Sequence, residues 1–145
     1  MFLTSSQETL ICPPRSSSLL LTISSSEASL FCSDLSRCFL GIEFNSGAIS
    51  IKSVAPFGYD WKSLKPLDPE LEMKQVGKDE VSVIYKITAL RPALFVWLEG
   101  KEDGVYSKNM FSMLQGEELI RFKPRVMKEE CCEMEISSLH QFLLD

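Results

Sequence analysis

His140 is the single histidine of the chain, and it lies three and two residues after Ser137 and Ser138. It is the one side chain whose ordinary pKa falls near neutrality. A serine beside a histidine is not a triad, because the nucleophile also needs an orienting acid and an oxyanion hole. A surface or half-buried histidine is therefore expected. Acid pairs recur at Glu102-Asp103, Glu117-Glu118, Glu129-Glu130 and Glu133 with Glu135. Glycoside hydrolysis needs two carboxylates facing each other across a sugar pocket. These pairs lie next to turns or alternate outward along strands, the pattern of a solvated face. Glu102, Asp103 and Asn109 gather hard oxygen ligands of the kind calcium takes, but without a full loop pattern. No metal and no cofactor is expected, and no catalytic residue is assigned.

Aromatic residues in loops could stack on sugar rings, and Tyr59, Trp61 and Tyr106 are the weak carbohydrate-binding candidates. Packing against a neighbouring surface explains Tyr59 and Trp61 equally well. Five cysteines are present, Cys12, Cys32, Cys38, Cys131 and Cys132. An odd number cannot all pair internally, and no metal-ligand spacing occurs among them. Reduced structural thiols are the plain expectation, with a Cys32–Cys38 or a long-range disulfide as the alternative.

The elements that would position these residues centre on Ala93-Leu-Phe-Val-Trp-Leu98, six consecutive apolar residues between Pro92 and the Gly100–Gly104 turn cluster. This composition predicts a strand buried on both faces, with Leu94, Val96 and Leu98 on one side and Phe95 and Trp97 on the other. Phe and Trp bury about 150–250 Å² each. That is worth about 4–6 kcal/mol per ring as an upper bound. Val81, Val83, Tyr85, Ile87 and Ala89 recur at period two and predict a half-buried strand. Further strands are expected over 48–54, 71–76, 117–123 with Ile120 and Phe122 inward, and 132–136, with turns at Gly77–Asp79 and Gln115-Gly116. Short strands every eight to fifteen residues, without a helix-length periodic stretch, predict an all-β, immunoglobulin-like antiparallel β-sandwich. Its domain is expected over 46–145. Residues 1–45 are expected to be a serine-rich, partly ordered extension whose apolar patches at 19–23, 28–31 and 38–44 could form short strands.

The 145 residues carry 45% hydrophobic and 24% charged side chains and a net charge of −5. Residues 1–67 balance five acids with five bases, so 68–145 holds the whole excess of acid. An acidic sandwich without a basic stripe is a poor partner for nucleic acid or an anionic membrane. The N-terminus lacks a basic n-region and a continuous apolar h-region, so no signal peptide is expected, and no segment is long enough to span a bilayer. The compartment is left open.

The run Ala93-Leu-Phe-Val-Trp-Leu-Glu99, Gly104-Val-Tyr-Ser-Lys-Asn-Met-Phe111, Leu114-x-Gly-Glu117 and Ile120-x-Phe-x-Pro124 resembles the C-terminal immunoglobulin-like domain of β-mannosidases. Met134-Glu-Ile-Ser-Ser-Leu-His140 is similar to that domain's last strand. The resemblance covers roughly 68–142. The family usually shows Ser-Asp-Asn-Gly/Tyr-Phe, whereas this chain has Lys108 in place of an acid that could cap the turn's backbone N–H groups. Full-length relatives are multidomain enzymes that remove terminal β-mannose, with their catalytic glutamates on a (β/α)₈ barrel of about 250 residues. The resemblance thus implies a non-catalytic accessory domain, with a hydrolase barrel as its partner. A free-standing module that binds oligosaccharide or protein is the alternative.

Overall fold

The computed structural model of the chain describes residues 15, 22–46, 49–56, 63–127 and 133–143. Strands β1 (Phe39–Ser46) and β2 (Ile49–Pro56) form a hairpin. Strands β3 (Glu72–Lys78), β4 (Val83–Ala89), β5 (Ala93–Gly100), β6 (Gly104–Tyr106), β7 (Phe111–Met113), β8 (Gly116–Pro124) and β9 (Met134–Ser137) follow. One sheet has the order β3-β4-β8-β6 and the other β7-β5-β9, with every pairing antiparallel. The protein is an all-β, immunoglobulin-like antiparallel sandwich.

The core joins the two sheets. Ile87 and Ala89 of β4 and Ile120 of β8 pack with Ala93, Val96 and Leu98 of β5 and with Phe111 and Met113 of β7. Val83, Tyr85 and Phe122 form a neighbouring cluster. The expected alternation on β4 and β8 holds, because Val83, Tyr85, Ile87, Ala89, Ile120 and Phe122 are all buried. Gly104 is required by this packing. A Cβ there would stand 2.4 Å from the Phe122 ring and 2.6 Å from the Lys123 carbonyl oxygen.

Several expectations change. Val81 continues the period-two pattern in sequence, yet it is 56% exposed. The turn runs through Asp79–Ser82 rather than Gly77–Asp79. Asp79 Oδ1 accepts from the N–H groups of Val81 (3.0 Å) and Ser82 (2.7 Å), which bends the chain before β4 begins. Strand β3 reaches Lys78 by way of a bulge between Gln75 and Gly77 that leaves Val76 outside.

β5 also bulges, between Ala93 and Val96. The extra residue brings Ala93 and Val96 to the same inner face and sets Phe95 in the left-handed region at φ 48°. Phe95 and Trp97 are consequently only partly buried and stand outside both core clusters. Trp97 packs instead on Phe142 of helix α2 (Leu139–Phe142), with ring centroids 4.9 Å apart.

The patch at 28–31 is helical. Helix α1 (Ser25–Phe31) starts at a capping box, in which Ser24 N–H donates to Glu27 Oε2 (2.8 Å) and Glu27 N–H donates to Ser24 Oγ (3.2 Å). Ser-x-x-Glu is a helix-start signature, and here it overrides the strand-like apolar run. Cys32 and Cys38 are joined as a disulfide across the turn that follows, so the alternative holds for this pair. Cys12, Cys131 and Cys132 lie outside the described residues.

Phe122→Ala should cost about 3–5 kcal/mol in urea unfolding, as expected of a fully buried ring. Val81→Ala should change stability by no more than about 0.5 kcal/mol. A large effect of Val81→Ala would restore the inward placement that periodicity alone suggests.

Candidate functional site

The loop Ser107–Met110 carries the chain from β6 in one sheet to β7 in the other. Its polar side chains tie this crossing to β8, through Ser107 and Lys108, and to β5, through Asn109. Ser107 N–H donates to the Arg121 carbonyl (2.7 Å), and Ser107 Oγ accepts from Arg121 N–H (2.9 Å), which prolongs the β6–β8 ladder by one residue. Asn109 Oδ1 accepts from Leu98 N–H (2.8 Å), and Asn109 Nδ2 donates to the Leu98 carbonyl (3.0 Å). Val96 already pairs with Phe111, so the Asn109 amide stands where the next peptide of a longer β7 would be. Met110 N–H shares the same Oδ1 at 3.0 Å, and Met110 is left-handed at φ 54°. Lys108 pairs with Glu118 Oε2 at 3.1 Å and lies 5.3 Å from the centroid of the Phe111 ring.

A second cluster holds the β3–β4 turn to β8. Asp79 Oδ2 accepts from Ser82 Oγ (2.8 Å) and from Arg121 Nη1 (2.9 Å), while Arg121 Nη1 also donates to Ser82 Oγ (2.9 Å). The Val81 and Ser82 donors, with Arg121 adding charge, hold the Asp79 carboxyl below the usual aspartate range. Ser82 is 1% exposed, so its hydroxyl depends on these partners.

Of the three carbohydrate candidates, Tyr59 and Trp61 lie outside the described residues. Tyr106 lies on strand β6 rather than in a loop. Its ring is 4.7 Å from that of Phe122, and its hydroxyl is 3.4 Å from Met134 Sδ. Burial, with the charge of Glu99, raises the Tyr106 hydroxyl above the ordinary phenol range. Ser138 and His140 belong to the start of α2. Ser138 is buried, and its N–H donates to Gln141 Oε1 (3.2 Å). The calcium triple of Glu102, Asp103 and Asn109 does not form a ligand set, because both ends of the Asn109 amide are taken up by Leu98. Among the described residues no three His, Cys, Asp or Glu side chains group as metal ligands, and no helix is long and apolar enough to cross a membrane.

A cavity of about 280 Å³ opens where the hairpin leans on the sandwich. Lys52, Ser53 and Val54 of β2 form one wall, and Phe95, Phe111, Ser112 and Lys108 form the other. Sequence reasoning finds none of these as a site. They converge only through the packing of β2 beside β7, for which no local pattern exists.

Residues 67–141 match the family model Ig_mannosidase, an Ig-fold domain. The chain belongs to this family. No curated protein matches it. The mannosidase Ig-fold domain is a non-catalytic accessory module. In this chain it opens just before β3 and closes within α2, so it takes in both sheets and leaves the β1–β2 hairpin outside. The crossing loop of the mannosidase Ig-fold domain therefore performs structural work here, joining the sheets.

Removing the Asn109 amide should expose that work. Asn109→Ala strands the Leu98 N–H and carbonyl and should cost about 2 kcal/mol in urea unfolding. An unchanged midpoint would mean that water replaces the amide without loss.

The Asp79 cluster should show in the pH profile. A carboxyl held below its unfolded value stabilises the fold above the ordinary aspartate pKa and loses that contribution as pH falls through the lowered one. Asp79→Asn should therefore be less stable than the parent at pH 7, and the gap should close in acid. A gap that stays constant down to pH 2 would show that the charge of Asp79 is irrelevant.

Proposed function

We propose that the chain is a non-catalytic accessory domain, a truncated or fragmentary relative of a β-mannosidase, that seats against a glycoside hydrolase barrel. The observation that carries this reading is the family match over 67–141, which takes in all seven strands of the sandwich.

The disposition of the acids supports the same reading. Glu117 pairs with Lys86 (3.0 Å), Glu118 with Lys108 (3.1 Å) and Glu133 with Lys101 (2.5 Å). These are surface ion pairs rather than two carboxylates held across a sugar-sized gap. None of the residues lining the cavity is acidic.

The purified 145-residue chain should not hydrolyse a chromogenic β-mannoside, and it should co-elute with a β-mannosidase whose own immunoglobulin-like domain has been deleted. Turnover that follows the chain through purification would overturn the non-catalytic assignment. Separate elution at micromolar concentrations would overturn the barrel as partner.

A further inference from the structure

The seam cavity carries an inference independent of the accessory role. Two of its seven lining residues are lysines and none is acidic, in a chain whose net charge is −5. Lys108 is partly neutralised by Glu118. Lys52 lies opposite Glu43 in the hairpin register, but it makes no ion pair within 4 Å among the described residues. Ser53 and Ser112 add hydroxyls. Ser112 Oγ accepts the Phe95 N–H at 3.2 Å, which leaves its own O–H to donate elsewhere. The rest of the lining is apolar, with the Phe95 and Phe111 rings and Val54.

The backbone supplies a second observation. Phe95 sits at φ 48° within the β5 bulge. A bulky L-residue is disfavoured in this left-handed region. Strain of this kind is retained where the surroundings over-determine it, and it clusters at ligand clamps. Bulges also re-aim a side chain beside functional sites. Here the bulge takes Phe95 out of the core clusters and places it on the cavity wall.

We propose that this cavity binds a small ring-shaped anion, a pyranose bearing a carboxylate or a phosphate. The ring lies against Phe95 and Phe111, and the anionic group is held by the Lys52 and Lys108 ammonium groups with the Ser53 and Ser112 hydroxyls. The volume, about 280 Å³, falls just below the usual range for ligand pockets of about 300–1,000 Å³, so it suits one sugar unit rather than a chain. A neutral sugar would leave the Lys52 ammonium group without a counter-charge among the described residues.

The test is calorimetric titration of the full chain with four probes: a hexuronate, a hexose phosphate, a neutral methyl β-mannoside and inorganic phosphate. One or both anionic sugars should bind one to one, and which of them binds identifies the anion. Affinity should fall several-fold between 50 and 300 mM salt. Lys52→Ala, an exposed change that leaves the melting temperature in place, should weaken binding about tenfold, the loss of one charge-assisted contact, and Lys108→Ala should weaken it similarly. Equal binding of the neutral glycoside would overturn the role of the charge. Inorganic phosphate binding as tightly as the sugar phosphate would overturn the role of the ring. No heat from either anionic sugar at 10 mM, or affinities untouched by both lysine variants, would remove the site altogether. None of these outcomes depends on whether the chain docks a barrel.

Discussion

The sandwich depends on one amide. Strand β7 is only three residues long, and its ladder with β5 ends at Val96–Phe111. The next peptide along β5 that faces this edge belongs to Leu98, whose N–H and carbonyl are both met by the Asn109 side chain. A side chain thus does the work of a strand. Partly buried peptide groups without partners are costly, so the path from β6 to β7 is constrained by this need. Ser107 holds the other end of the path to β8, and the loop joins the sheets as their core side chains meet.

Much of the sandwich is legible in the residues. Tyr85, Ile87, Ile120 and Phe122 follow the period-two pattern and are buried as that pattern requires. The misreadings each have a local cause. Val81 obeys the period but precedes the strand, because the Asp79 carboxylate captures the backbone donors around it. Phe95 has the composition of a core residue, but one extra residue in β5 turns it aside. Bulges leave no mark in hydrophobic periodicity beyond a lost phase, and two aromatic residues in an unbroken apolar run conceal even that. The helix at Ser25–Phe31 did have a visible signal in Ser24 and Glu27, which outweighs the short apolar stretch behind it.

The candidate site was less legible than the fold. The order Ser-x-Asn-x-Phe points to the right loop, and Lys108 in place of an acid marks a departure there. The role of Asn109 as a surrogate strand peptide cannot be read from residue types, because it needs the register of β5 against β7. The cavity residues lie on β2, on β5, and on the crossing loop with β7, and are united only by tertiary packing. Tyr106 fits a stacking loop by its neighbours, but a three-residue strand and the Phe122 ring claim it for the interior.

The β1–β2 hairpin has a consequence beyond lining a cavity. Strand β7 ends its sheet, and the free side of a terminal strand offers unpaired peptide groups that can recruit a foreign chain. β2 packs near β7 without joining its ladder, and Gly41 of β1 allows the Leu114 side chain to come close. The hairpin pairs residues close in sequence, from Ser46 with Ile49 to Phe39 with Pro56. Such local contacts form in microseconds, far sooner than the distant pairings of a sandwich. The segment before the immunoglobulin-like domain is thus a locally closed unit that packs near β7 while pairing only with itself.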